Sequence, residues 1–284
     1  MTRIGEAKAA VHETSTRAAW DTIAPGYDRT NTPTQMGIAN EGLRRAGLRA
    51  RMRFLDVAAG SGALSIPAAR LGARVVAIDQ SAVMLDLLRA RAQREGLEIE
   101  TRVMDGHSLQ LGDETFDMAG SQFGVMLFPD MPKAIREMVR VVVSGGRVLL
   151  HAYGDPHQIE FLCFLIGAIQ SVRPDFDGPP MEPPPLEFQL ADPSRLRREL
   201  GQAGLKDVIV ETVTETTEHA TGADLWEWLV SSNPLCEQIL GSLELTDAER
   251  GVVKRSLEAR VRERAGARAA AKLTNPVHVG FGTK

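Results

Sequence analysis

Cysteine is nearly missing from this chain. Cys163 and Cys236 are the two present in 284 residues, too few for a disulfide framework and in keeping with a reducing, cytoplasmic setting. Met1 to Ala10 carries charges where a secretory leader needs an apolar run. Long apolar stretches are lacking as well: the longest, Phe161 to Ile169, is nine residues with a glycine inside it, against the ~20 that a membrane span requires. There is no basic excess. The 33 Lys and Arg face 37 Asp and Glu, a net charge of −4, which removes the overall positive field that drives non-specific nucleic-acid binding. Internal repeats and low-complexity tracts are absent, and no cluster with metal-ligand spacing stands out.

What is present is an ordinary globular composition, 43% hydrophobic and 25% charged, in a chain long enough for one large domain or a domain carrying an insertion. Residues 1 to about 13 are polar and read as frayed. A short helix begins at Thr16 and is expected to stop at Pro25-Gly26. A second short helix spans Glu41 to Leu48. Strands and helices then alternate: strand Arg53 to Val57, helix Ala63 to Leu71, strand Arg74 to Asp79, helix Ser81 to Arg94, strand Glu98 to Val103, strand Phe116 to Ala119, helix Met131 to Val143, strand Arg147 to Tyr153. That rhythm with short connections predicts an α/β fold, a doubly wound sheet with helices on both faces.

After Tyr153 the pattern changes. Pro156 to Val172 reads as an apolar helix, and Gly178 to Pro185 holds five of the fifteen prolines, the mark of a rigid loop at the seam of an insertion. The α/β pattern resumes with helix Pro193 to Ala203 and strand Asp207 to Thr214. Helices near Ala223 to Val230, Pro234 to Leu240 and Asp247 to Ala265 follow, then a last strand near Pro276 to Phe281. The expected organisation is a helical N-terminal segment (1–40), a cofactor-binding core (41–155), an inserted helix and proline-rich loop serving as a substrate lid (156–190), and the remainder of the core (191–284).

The chemistry begins at Asp56-Val-Ala-Ala-Gly60-Ser-Gly62, where a strand gives way to a helix. Gly60 and Gly62 allow a ligand to approach the backbone more closely than any side chain would permit; the bland alternative is a tight turn with no ligand. Asp79, closing the next strand, is placed to accept both hydroxyls of a ribose, or more simply to cap the following helix. Together the two signals indicate a nucleoside but do not separate NAD from S-adenosylmethionine. Three features favour the latter. Ser65 occupies the position where the dinucleotide fingerprint carries glycine or alanine, and Asp56 is foreign to that fingerprint. Met104-Asp105-Gly106-His107 puts a carboxylate at the sheet edge after the third strand. Phe116 to Gly124 ends a fourth strand on the same edge.

With these pieces in order, the sequence resembles the class I S-adenosylmethionine-dependent methyltransferases, and within them the ubiquinone and menaquinone biosynthesis branch. The resemblance covers roughly residues 16 to 155. It rests on Trp20-Asp-Thr-Ile-Ala-Pro-Gly-Tyr27-Asp28, Leu55 to Gly62, Val76-Ala-Ile-Asp79-Gln80-Ser81-Ala-Val-Met84-Leu85, Asp105-Gly106, and Glu137 to Arg147. It implies a seven-stranded sheet, mostly parallel with an antiparallel last strand, and the cofactor S-adenosylmethionine across the carboxyl ends of the first strands. By that resemblance Asp56, Ala58, Gly60 and Gly62 line the methionine half, Asp79 with Gln80 holds the ribose, and Met84 packs near the adenine. Asp105 and Gly106 read the adenine edge, Ser121 closes the pocket, and Tyr27 reaches over from the leading helix. Ala58 and Ser144 replace a glycine and a proline common in the family.

Methyl transfer from a sulfonium needs chiefly in-line positioning and exclusion of water, and a base only where the acceptor arrives protonated. His151 and His157 fall near the expected site, although a lone histidine is more often packed or exposed; no catalytic residue is assigned. Phe123, Met126 and Phe161, with the apolar insert, suggest a small, largely apolar or aromatic acceptor, the alternative being a helix simply buried against the sheet. Arg250 to Lys272 has eight basic residues against two glutamates, but it lacks interleaved aromatics and reads as a solvated helix face, so no nucleic-acid partner is expected. Two further readings stay open, an NAD-dependent oxidoreductase and a non-catalytic S-adenosylmethionine-binding partner protein. The last helices are free to form a lid or a homodimer surface.

Overall fold

The computed structural model describes the backbone from residue 2, and side chains for residues 17–231 and 233–284. The expectation of fraying over residues 1 to about 13 lies outside the residues described with side chains. Seven strands form one sheet in the order β3-β2-β1-β4-β5-β7-β6. They are β1 (Arg53–Val57), β2 (Arg74–Asp79), β3 (Ile99–Val103), β4 (Phe116–Gln122), β5 (Val142–Tyr153), β6 (Lys206–His219) and β7 (Ala271–Thr283). Pairings among β1 to β5 are parallel, and β7 runs antiparallel to both β5 and β6. The first parallel strands are near-continuous apolar text, buried on both faces by crossover helices; Phe54, Leu55, Ala77, Ile78, Met118 and Ala119 are all fully buried.

The helices are α1 (Thr2–Arg45), α2 (Ser65–Arg70), α3 (Ala82–Arg94), α4 (Met131–Val141), α5 (Glu160–Ile169), α6 (Pro193–Gln202), α7 (Gly222–Ser232), α8 (Pro234–Ser242) and α9 (Asp247–Ala265). Their ends follow from local chemistry. Ser81 caps α3 by accepting from the Met84 N–H at 3.0 Å, and Thr246 and Glu249 form a capping box at the start of α9. On α4, Met131, Ala134, Ile135 and Met138 recur at helical spacing and are fully buried. No described helix is long and apolar enough to cross a membrane.

Three sequence expectations are corrected. The first helix does not stop at Pro25-Gly26 and restart at Glu41: α1 runs through Pro25 and Pro33 to Arg45, across the expected boundary between residues 40 and 41. An interior proline costs a helix about 3 kcal/mol. Here Ile23, Ala24, Met36, Ala39 and Leu43 are buried, and the larger of these contribute roughly 1.5–3 kcal/mol each, so packing outweighs both prolines. The apolar helix expected from Pro156 begins only at Glu160, after a short 3₁₀ turn over Pro156–Gln158. The last two strands are nearly twice their expected length, because they pair with each other from Lys206↔Thr283 to His219↔Ala271, well past the end of β5 at Tyr153↔Val277.

Candidate functional site

A cleft opens along the carboxyl ends of β1, β2 and β4. Its floor is the loop after β1, where Ala58 and Gly60 have positive φ of 56° and 54°. A side chain on Gly60 would project into open space, whereas one on Gly62 would meet Leu88 at 2.3 Å. Gly60 therefore faces the cleft, and Gly62 lets the loop pack on α3. Behind the loop Asp56 is 1% exposed; its Oδ2 accepts from Ser65 Oγ at 2.6 Å. Its Oδ1 is buried without a partner among the described residues. Burial pushes the Asp56 carboxyl up to about 7, against the pull of the Ser65 hydroxyl.

Asp79 closes β2 at the centre of the cleft. One oxygen accepts the Gly60 N–H at 2.8 Å and the other the Ser81 N–H at 2.9 Å. Burial raises its carboxyl above the usual carboxylate range, opposed by those two donors. Each oxygen keeps a lone pair for a further donor, which is what a ribose diol would supply. Met84 lines the adjoining wall with Met104, Asp105 and Gly106. Asp105 Oδ1 takes both the His107 N–H (2.8 Å) and His107 Nδ1 (2.9 Å); Oδ2 has no protein partner among the described residues. A side chain at Gly106 would strike Phe128 at 2.5 Å, so this glycine lets Phe128 and the His107 ring, 4.6 Å apart, close that end.

Helix α1 roofs the cleft. Trp20 and Tyr27, edge to face at 5.7 Å, line it. Polar ties fix the roof: Ser81 Oγ donates to Asp21 (2.5 Å), Thr32 and Ser61 share a hydroxyl bond (2.5 Å), and Arg91 pairs with Asp28 (2.6 Å). Tyr27 donates to Gln35 at 2.9 Å, and burial raises its phenol. Beneath, Phe123 has φ 56°, uncommon for a bulky residue; its ring stacks on Tyr153 at 4.5 Å.

Of the residues singled out in the sequence, Tyr27, Ala58, Gly60, Asp79, Gln80, Met84, Asp105, Gly106 and Phe123 come together on the cleft wall. The others do not reach it. Asp56 and Gly62 support the loop from behind. Ser121 turns inward, its hydroxyl accepting the Val125 N–H at 3.1 Å. Met126 is buried under the same turn. His151 meets Gln122 through Nδ1 at 2.8 Å, and its Nε2 abuts Gly42 so closely that a Cβ there would sit 2.0 Å away. Burial lowers its pKa to about 3, leaving a neutral, packed imidazole. His157 is 83% exposed, bonded to Asp155, beside a separate hollow with Leu162 and Cys163. Phe161 packs between Tyr153 and Trp228. Gln122 at the end of β4, Leu127 and Phe128 in the turn after it, and the ring of His107 after β3 also line the wall; no motif marks Leu127, which the turn after β4 alone aims.

The comparisons agree with this geometry. The family described as "Methyltransferase domain" matches residues 55–150. A demethylmenaquinone methyltransferase of Thermus thermophilus is 35% identical over 162 residues, 55% of this chain and 74% of that protein. An uncharacterized protein of Mycobacterium tuberculosis is 41% identical over 103 residues, 36% of this chain; the match spans 38% of the length of the mycobacterial relatives. Among solved structures, the YcgJ protein of Bacillus subtilis superposes with a TM-score of 0.56 at 18% identity, covering 88% of this chain and 97% of that one. A putative methyltransferase of Bacillus halodurans gives 0.53 at 17% identity, covering 87% and 98%. Sheet order, cleft and sequence kinship converge on one conclusion: the chain belongs to the class I S-adenosylmethionine-dependent methyltransferase family.

Proposed function

We propose that this protein transfers a methyl group from S-adenosylmethionine to a small, largely apolar or aromatic acceptor by in-line displacement. The observation that carries the reading is Asp79, held at the end of β2 by the Gly60 and Ser81 N–H groups with lone pairs still directed to further donors. Bound here, the cofactor supplies an activated sulfonium methyl group. The chain's own residues do the rest. Asp79, beside Gln80, takes the ribose hydroxyls. Asp105 Oδ2 accepts from the adenine edge, with Met84 and Phe128 against the ring. The loop at Ala58 and Gly60 gives the methionine portion backbone contact. Trp20 and Tyr27 exclude water, and positioning of this kind supplies much of the acceleration in a displacement that needs no leaving-group activation.

Phe123 contributes an apolar face on the acceptor side. The segment 156–190 acts as a lid over it; support comes from Gln189 Nε2, which donates to the Met126 and Phe128 carbonyls at 2.9 and 3.1 Å and so ties the segment to the cleft wall. Calorimetry with S-adenosylmethionine, S-adenosylhomocysteine and NADH tests the reading: the first two should bind and NADH should not. An NAD-dependent oxidoreductase would show the reverse. Turnover of methyl-labelled S-adenosylmethionine with phenolic, quinone-like and amine acceptors separates an enzyme from a non-catalytic binding partner.

A further inference from the structure

The antiparallel pair of β6 and β7, joined through α7 to α9, overhangs the sheet at the cleft edge. Pairing of β5 ends at Tyr153↔Val277, level with Val213 on β6, and the two strands continue beyond it. Two residues on, about 7 Å further at the rise of a strand, Glu215 of β6 pairs with Asn275 of β7. Strand alternation turns both inward. Glu215 is 6% exposed and Asn275 fully buried, whereas Thr214, Thr216 and Glu218 face out.

This pair is short of donors. Asn275 Nδ2 donates to Glu215 Oε2 at 3.2 Å, and the carboxylate has no arginine or lysine partner among the described residues. Asn275 Oδ1 is buried with nothing bonded to it. A buried carboxylate without a cation and a buried carbonyl without a donor are each unfavourable. Burial pushes Glu215 up to about 7. Tyr153, opposite Val277, lies two residues from Asn275 along β7 and on the same face of the sheet, and the Glu215 carboxylate adds to the burial that raises the Tyr27 and Tyr153 phenols. Tyr27 lines the cofactor cleft, and Tyr153 stacks on Phe123, which lines it too. The pair therefore adjoins the cleft behind an aromatic wall that continues through Phe161 and Trp228.

We propose that Glu215 and Asn275, with Tyr27 and Tyr153, form the acceptor subsite, and that the acceptor is an amine arriving as an ammonium on an apolar or aromatic body. This rests on the methyltransferase reading above. An ammonium brings the missing positive charge and several N–H donors, enough for both unmatched acceptors; a hydroxyl brings one donor and no charge. Aromatic faces suit the cation as well. In the transfer, Glu215 takes one ammonium proton and becomes neutral. The freed nitrogen lone pair forms the new N–C bond to the sulfonium methyl as the S–C bond breaks, its electron pair staying on sulfur. The products are the N-methylated ammonium, S-adenosylhomocysteine and a proton that Glu215 releases to solvent.

The test is calorimetry on the full chain saturated with S-adenosylhomocysteine, using 2-phenylethylamine and tryptamine against their alcohol counterparts, 2-phenylethanol and tryptophol. The amines should bind at least tenfold more tightly. Glu215→Gln should erase that preference while leaving S-adenosylhomocysteine affinity unchanged, a split that mere loss of packing would not produce. Equal binding of amine and alcohol by the unmutated protein overturns the proposal even if the variant fails to fold, as does a variant that keeps the preference. Failure of the unmutated protein to bind S-adenosylhomocysteine is a separate result: it overturns the methyltransferase reading, and the subsite falls with it.

Discussion

Ala58 and Phe123 hold left-handed backbone conformations at φ 56° each, and both line the cleft. Such a conformation costs an L-residue roughly 1–2 kcal/mol, so Ala58→Gly should raise unfolding free energy by about 1 kcal/mol, measured by denaturant titration. Asp79→Asn should weaken S-adenosylhomocysteine binding at least tenfold in calorimetry, because a neutral amide replaces one acceptor oxygen with a donor. Asp56 gives a pH signature. Its folded pKa of about 7 lies above the ~3.9 of an unfolded aspartate. Between those values the native state holds the extra proton, and Asp56 increasingly destabilises the fold as pH rises, levelling above 7. Asp56→Asn keeps an oxygen for Ser65. Its stability relative to the unmutated protein should therefore grow from pH 4 to 7 and then stay constant. Comparing the two proteins matters, because His151, depressed to about 3, acts with the opposite sign below pH ~6.5. The positions of Asp79 and Asp105 on the cleft wall were legible because strand ends and glycine loops are local text. That Asp56 stands behind the loop was not, because depth beneath a surface is no property of spacing.

At the scale of elements, Ser81 links two of them. Its backbone N–H is held by Asp79, and its hydroxyl caps α3 while donating to Asp21 of α1. Ser81→Ala should cost about 1–2 kcal/mol, the loss of a cap together with a side-chain bond, and should weaken S-adenosylhomocysteine binding, since the roof and Asp79 are both tied to this residue. Thermal unfolding and calorimetry on the same variant check both. The helix α9 fell at its expected limits, Asp247–Ala265, because a capping threonine, a glutamate three residues on and a glycine at the far end are all local signals. The reading of α1 failed for the converse reason. Pro25 and Pro33 are helix-breaking signals, and only the α3, α7 and sheet surfaces against which α1 lies make the continuous helix the lower state.

Across the whole molecule, α1 docks on the sheet through a glycine. At Gly42 a Cβ would come within 2.0 Å of His151 Nε2, and that ring is fixed by Gln122, itself bonded to the Gln35 carbonyl at 3.2 Å. Gly42→Ala should destabilise the protein by about 2–3 kcal/mol, the upper range for overpacking, and lower S-adenosylhomocysteine affinity by lifting the roof; denaturant titration and calorimetry would show both. Taken alone, the sequence determined the alternating layers, the glycine loop, the carboxylates at 79 and 105 and the family, because strand period, turn chemistry and short motifs act over a few residues. The tertiary structure decided what lies far apart in the chain. It laid α1 over the cleft, carried His151 and His157 away from it, and extended β6 and β7 until Glu215 met Asn275, 60 residues away. Those placements follow from which surfaces bury the most apolar area together, a quantity that belongs to the packed chain and to no segment of it.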